Sequence, residues 1–197
     1  MLIKSNIILA SSSKRRLDLL RQIGIEPYRI INPEINEMNF EDIPINKRPR
    51  EIAFQKALAA KEKNPSSNNF IIAGDNIVFR GKKTYHKTDK ISEVERYLYE
   101  LSGKKHFVLG GLCVLSPTGK ISLRTVRTEV FLKKLSNTEI SDENLQKDGL
   151  NKAGGYAIQN LGSIIVSKIK GSYFNVVGLC LFELVQMLKG LGWKNVN

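Results

Sequence analysis

The chain has 197 residues, a net charge of +12 and two cysteines. That length fits one large domain or two small lobes with a proper core, and the charge favours polyanions: nucleotides, nucleic acid or acidic membrane surfaces. No apolar run approaches the roughly 20 residues that cross a bilayer, and Cys113 and Cys180 lie far apart in apolar runs, as buried thiols of a reducing compartment do. The apolar start is followed by cations instead of a small-residue cleavage site, so a cytoplasmic protein is expected.

In chain order, Ile7 to Ala10 read as a short buried strand. Lys14 to Ile23 read as a helix with Leu17, Leu20 and Ile23 on one face, closed by Gly24. Residues 28–35 run from strand into loop, 49–64 form a helix and "NPSSNN" (64–69) a turn. "FIIAGDNIVFRGKK" (70–83) reads as strand, interruption, strand, with Gly81 turning the second. Residues 90–105 form a helix from a Ser92 cap to a Gly103 stop. Residues 106–135 are β-rich, a hairpin about Pro117, Thr118 and Gly119. A capping box of Ser136 and Glu139 opens a helix over 136–149. Strands at 157–159 and 163–169 and a helix at 179–191 complete the chain. Without clean βαβ alternation, the expected class is α/β or α+β with a mixed sheet. A single domain over 1–197 is expected, since no linker marks a boundary.

The chemistry gathers on loops. Two histidines and no Cys–His cluster exclude the common structural zinc patterns. A hard cation held by one or two carboxylates and phosphate stays open. The best single carboxylate is Asp75, which follows an apolar strand beside Gly74; the competing reading is a turn-forming Asp-Asn pair. In "LASSSKRRLDLL" (9–20), Ser11, Ser12 and Ser13 and then Lys14, Arg15 and Arg16 stand where a strand becomes a helix. Cations there oppose the helix dipole, while the free N–H groups of a helix start favour an anion. A phosphate reconciles the two. Paired glycines in "KAGGYAIQN" (152–160) allow close backbone approach to a ligand. "GSYFNVVGL" (171–179) leads a Ser-Tyr-x-Asn loop into an apolar helix. Neither a Walker A loop, nor a GxSxG elbow, nor a Ser-His-Asp set is present. Residue by residue, the reading ends at an α/β protein with basic, glycine-bearing loops around one Asp.

The order of those loops resembles the Maf family, nucleoside triphosphate pyrophosphatases also described as septum-formation inhibitors. "LASSSKRRLDLL" resembles the family's LASxSPRRxELL, and "EINEMNFEDIP" with "IAFQKALAA" its acidic loop and Lys-Ala helix. "IIAGDNIV" with downstream Lys87, "LSGKKHFV", "NKAGGYAIQNLG" and "IKGSYFNVVGLCL" follow in family order. The resemblance implies an elongated mixed sheet with flanking helices and two lobes around a central cleft, like inosine triphosphate pyrophosphatase. It implies hydrolysis of the α–β anhydride with a divalent metal (Mg²⁺, Mn²⁺ or Co²⁺), often in a homodimer. By that similarity Asp75 is the catalytic carboxylate and metal ligand, with Glu37 supporting the metal or water. Ser11, Arg15 and Arg16 hold phosphates, Lys56 and Lys87 add charge, and Gln159 recognises the base. For Lys56 the competing reading is a surface pair with Glu51 or Glu62. Tyr156 either lines the base pocket or packs under the loop, and His106 is read as structural.

Several positions depart from the pattern. Lys14 replaces Pro, Asp18 replaces Glu, Asn76 replaces the Thr after the catalytic Asp, Gly110 replaces Thr, Asn160 replaces the last Gly of KAGxYxIQG, and Cys180 replaces the Pro of VVGLP. The loss of a hydroxyl at Asn76 bears on rate. The intact KAGGYAIQ and GSYFNVVGL segments favour dTTP and UTP, or modified pyrimidine nucleotides. The alternatives are a 7-methyl-GTP type of pyrophosphatase and a non-catalytic nucleotide- or nucleic-acid-binding regulator of cell division, with a division-linked partner. No aromatic RNA-recognition motif accompanies the basic charge, which counts against the nucleic-acid reading.

Overall fold

The computed structural model describes residues 3–65 and 68–194, so Ser66 and Ser67 of the expected 64–69 turn lie outside the described residues. The strands are β1 (Ile3–Ala10), β2 (Ile25–Ile31), β3 (Phe70–Arg80), β4 (Lys83–Tyr85), β5 (Lys105–Leu115), β6 (Ile121–Leu132) and β7 (Val166–Lys170). They form one sheet in the order β2-β1-β3-β5-β6-β7, with β4 added to β3. The β1–β2 and β1–β3 pairs are parallel and the β3–β4 and β6–β7 pairs antiparallel, which makes the sheet mixed, as expected. The helices are α1 (Lys14–Gln22), α2 (Arg48–Glu62), α3 (Ile91–Leu101), α4 (Asn137–Ile140), α5 (Glu143–Gly149), α6 (Tyr173–Val177) and α7 (Leu181–Gly190). Among the described residues, no helix is long and apolar enough to cross a membrane.

The chain folds as two compact units, each assembled from separated segments. The first runs up to Asp75 and adds Gly110–Val126 and the chain from Gly178 onward. Its core joins Ile8 and Ala10 of β1, Ile71 and Ala73 of β3, and Cys113 and Leu115 of β5 to Ala53, Ala57 and Ala60 of α2. Alanine favours the helix and is small enough to seat it close against the strands. The approach is closest at Gly111, where a Cβ would lie 2.1 Å from the Pro49 carbonyl carbon and oxygen. On α1 the buried residues are Arg16, Leu19 and Leu20, while Leu17 and Ile23, expected on the inner face, are half-buried. Arg16 turns inward because its guanidinium has partners there, described below.

The second unit comprises Asn76–Leu109 and Arg127–Val177. Val94, Tyr97, Leu98 and Leu101 bury one face of α3, and Tyr97 meets Tyr85 edge to face at 5.1 Å. Asn175, 1% exposed, donates from Nδ2 to the Val108 carbonyl (3.2 Å) and to Thr128 Oγ1 (3.0 Å). Thr128 Oγ1 in turn donates to the Ser172 carbonyl at 3.2 Å. Asn76 Nδ2 donates to the Asn175 carbonyl at 2.9 Å. The residue that replaces a threonine hydroxyl thus ties β3 to α6 through its side-chain amide.

Four local expectations are corrected. The strand over 70–80 runs unbroken through Gly74, Asp75 and Asn76, because it is held on both sides of them, by the β1 ladder up to Ala73 and the β4 ladder from Val78, with β5 as its other neighbour, and this outweighs the turn preference of Asp-Asn. Ser92 lies inside α3, whose cap position is Lys90. The 136–149 helix breaks in two: the Ser136–Glu139 capping box opens α4, and Asp142, accepting from Leu145 N, opens α5. Residues 157–159, expected as a strand, lie in a turn closed by Asn160 N on the Ala157 carbonyl, and the strand expected over 163–169 is β7 from Val166, after a 3₁₀ turn over Leu161–Ile164.

Candidate active site

The β1–β3 ladder ends at the Ala10–Ala73 pair, so β3 carries Gly74 and Asp75 beyond it just where the chain leaves β1 for Ser11. Ligands of open α/β sheets gather at such carboxyl ends of strands. Ser11 is buried; its Oγ accepts from Ser13 N (3.2 Å) and from Arg16 Nη1 (3.1 Å). Arg16 Nε donates to the Gly178 carbonyl at 2.9 Å. Gly74 leaves room for that guanidinium, since a Cβ there would lie 3.4 Å from Arg16 Nε and 3.3 Å from Leu179 Cδ1. Burial lowers the Arg16 pKa and the Asp75 charge raises it, so the cation is held by its neighbours. Arg15, one residue earlier on α1, is half-buried.

Lys56 joins the site from α2. Its Nζ donates to Asp75 Oδ1 at 2.7 Å and to Glu37 Oε1 at 2.6 Å. These bonds, made by a buried ammonium, take the place of the surface pair with Glu51 or Glu62, the competing reading for Lys56. Glu37 comes from a 3₁₀ turn, Glu37–Phe40, begun by Asn36, whose side chain accepts from Met38 N. The two carboxylates differ in exposure: the Asp75 side chain is 9% exposed and that of Glu37 52%. Burial pushes the Asp75 carboxyl above its ordinary range; Glu37 adds to the rise, and Lys56 and Arg16 oppose it. Five of the eight predicted site residues therefore meet in the first unit: Ser11, Arg16, Glu37, Lys56 and Asp75. Arg15 is on the adjoining helix turn. Lys87 and Gln159 belong to the second unit, and both are exposed.

The donor set suits a hard divalent cation. Two carboxylate oxygens already converge on one ammonium position, and such ions need few protein ligands when phosphate oxygens complete the shell. Among the described residues no group of three or more His, Cys, Asp or Glu that could hold a metal ion gathers.

Sequence reading missed the Gly178 carbonyl, because a backbone acceptor 162 residues from Arg16 leaves no local signal. The structure bears out the structural reading of His106 and decides between the two readings of Tyr156. Both are buried, and Tyr156 Oη lies 2.7 Å from His106 Nε2, so Tyr156 packs under its loop. His106 Nδ1 has no partner among the described residues, and burial pulls the His106 pKa down to about 4. The native state therefore keeps a neutral imidazole while the unfolded chain protonates near 6.5. Stability from this group is complete above about pH 6.5 and is lost as pH falls towards 4. Chemical denaturation should show a loss of about 2–3 kcal/mol between pH 7.5 and 4.5 that is absent in His106→Gln.

The family model described as Maf-like protein matches residues 6–191. The chain is 40% identical over 188 residues to the dTTP/UTP pyrophosphatase of Paramagnetospirillum magneticum, covering 95% of this chain and 97% of that protein. It is 37% identical over 202 residues to the dTTP/UTP pyrophosphatase of Mesorhizobium japonicum, covering 98% and 95%. Among solved structures, a HAM1 protein from Coxiella burnetii aligns with a TM-score of 0.48 at 15% identity, over 95% of this chain and 100% of that one.

Proposed function

The chain belongs to the Maf family, and we propose that it hydrolyses dTTP and UTP, or modified pyrimidine nucleotides, to the monophosphate and pyrophosphate. The observation that carries this reading is the buried Lys56 ammonium held by Asp75 and Glu37 beside the Ser11–Arg16 pair. Anhydride cleavage is mostly positioning and charge stabilisation, and this cluster sets cations, a hydroxyl and two carboxylates at one strand end. The names of relatives at 37–40% identity support the pyrimidine substrates.

Ser11 and Arg16, with Arg15, bind the phosphates; a guanidinium can engage two oxygens at once. Lys56 offsets negative charge next to the carboxylates. Asp75 and Glu37 hold Mg²⁺, Mn²⁺ or Co²⁺. When bound, that ion supplies charge for the phosphate oxygens and a more acidic water. Asp75, its carboxyl pKa raised by burial, orients the attacking water and takes its proton at a carboxylate oxygen. Gln159 contacts the base.

A metal titration tests this. Pyrophosphate release from dTTP should stop in EDTA and return with Mg²⁺, Mn²⁺ or Co²⁺. Glu37→Gln should raise the half-saturating metal concentration by about tenfold, the loss of one charged ligand. Turnover that persists in EDTA, or metal dependence untouched in Glu37→Gln, would refute the assignment.

A further inference from the structure

Gln159 is exposed, yet the turn that carries it is fixed at both ends by side chains. On the near side Tyr156 is buried and bonded to His106 of β5, the two rings crossing edge to face at 5.5 Å. Asn160 N donates to the Ala157 carbonyl at 3.0 Å, closing the turn over 157–160. On the far side Asp148 of α5 accepts from Asn160 Nδ2 at 2.8 Å and from Leu161 N at 3.1 Å. Gly162 seals the base of the turn, since a Cβ there would lie 2.5 Å from the Ala157 carbonyl oxygen. The Asp148 bond to the Asn160 side chain needs the residue that departs from the family pattern, because a glycine has no amide to donate.

We infer that His106–Tyr156 and Asp148–Asn160 are positioning pairs that hold Gln159 for base selection. The inference rests on the reading of Gln159 as the base contact. A turn fixed before the nucleotide arrives has less backbone freedom to lose on binding, and it sets the position from which the Gln159 amide makes the directional bonds that reject a base of the wrong shape. A turn held at one end only samples other orientations, so affinity and selectivity fall while the chemistry at Asp75 is left alone.

The test compares wild type, Gln159→Ala, Tyr156→Phe and Asn160→Gly, the last two each removing one bond of the brace. KM and kcat are measured with dTTP and with dATP as the mismatched base. Amide hydrogen exchange is followed over 157–161. For Tyr156→Phe and Asn160→Gly, KM for dTTP should rise about fivefold to tenfold with kcat within about twofold, the size expected for one lost hydrogen bond. The dTTP-to-dATP preference should shrink in step, and exchange over 157–161 should quicken. If Gln159→Ala loses base preference while both brace variants keep it, the inference fails and the reading of Gln159 stands. If Gln159→Ala keeps the preference, the reading of Gln159 fails and the inference with it. If wild type releases no pyrophosphate, the proposed function fails and base selection with it, and slow exchange in both variants would in addition overturn the brace itself.

Discussion

Asp75→Asn should lower pyrophosphate release by about 1,000-fold, the scale of a lost catalytic carboxylate, without lowering stability. The second half of that expectation follows from burial. Desolvation raises the Asp75 pKa despite the opposing cations Lys56 and Arg16, so the ionised carboxylate is less favourable in the folded protein than in the unfolded chain. A group of this kind binds more protons folded than unfolded. Its sign is therefore that stability rises as pH falls from the raised pKa towards the ordinary aspartate value. Asparagine fixes the neutral form at every pH, and Lys56 keeps Glu37. Melting temperature at neutral pH should stay the same or rise in Asp75→Asn, while activity disappears. A variant that is inactive because it unfolds would show the reverse pattern, and would remove the evidence for a carboxylate kept for chemistry at a cost to the fold.

Gly111→Ala should be the most damaging single methyl in the first unit. Its Cβ would lie 2.1 Å from the Pro49 carbonyl group and 2.3 Å from Arg50 N, backbone atoms that no rotamer change can move. Either α2 shifts outward or β5 bows, and overpacking of this severity costs about 3 kcal/mol or more. In a chain of this size that lowers the melting temperature by about 6–12 °C. Since α2 also carries Lys56, activity should fall even at temperatures where the variant is folded. The same methyl at Gly190, near the end of α7, meets nothing within 4 Å. Gly190→Ala should be neutral or stabilising by up to about 1 kcal/mol. Equal melting temperatures for the two variants would contradict the close seating of α2 on the sheet.

Much of the fold was legible because its signals are local. The Ser136–Glu139 capping box and the Pro117-Thr118-Gly119 turn depend on neighbours within four residues, and they stand where the sequence places them. Asp75 was legible as an ionisable group interrupting an apolar strand, but its backbone was not. The turn preference of Asp-Asn is weak against strand partners that arrive from elsewhere in the chain. Lys56 shows the same limit more sharply. Glu51 and Glu62 are its near neighbours, yet both of its bonds go to residues 19 positions away, Glu37 and Asp75. Residues 157–159, Ala-Ile-Gln, have no turn residue, yet Asn160 N closes a turn on the Ala157 carbonyl at 3.0 Å. Asn76 read as a lost hydroxyl, and its amide has a different partner, the Asn175 carbonyl.

By the proposed function, the cluster around Asp75 cleaves a pyrimidine triphosphate between its α- and β-phosphates. The most direct test incubates the protein with Mg²⁺ and a panel of canonical and modified nucleotides, with pyrophosphate and orthophosphate measured separately. Asp75→Asn serves as the folded control. Pyrophosphate from dTTP and UTP ahead of purine nucleotides, absent in the control, is the predicted result. Orthophosphate as the first product, or no turnover of any nucleotide by a folded protein, would contradict it.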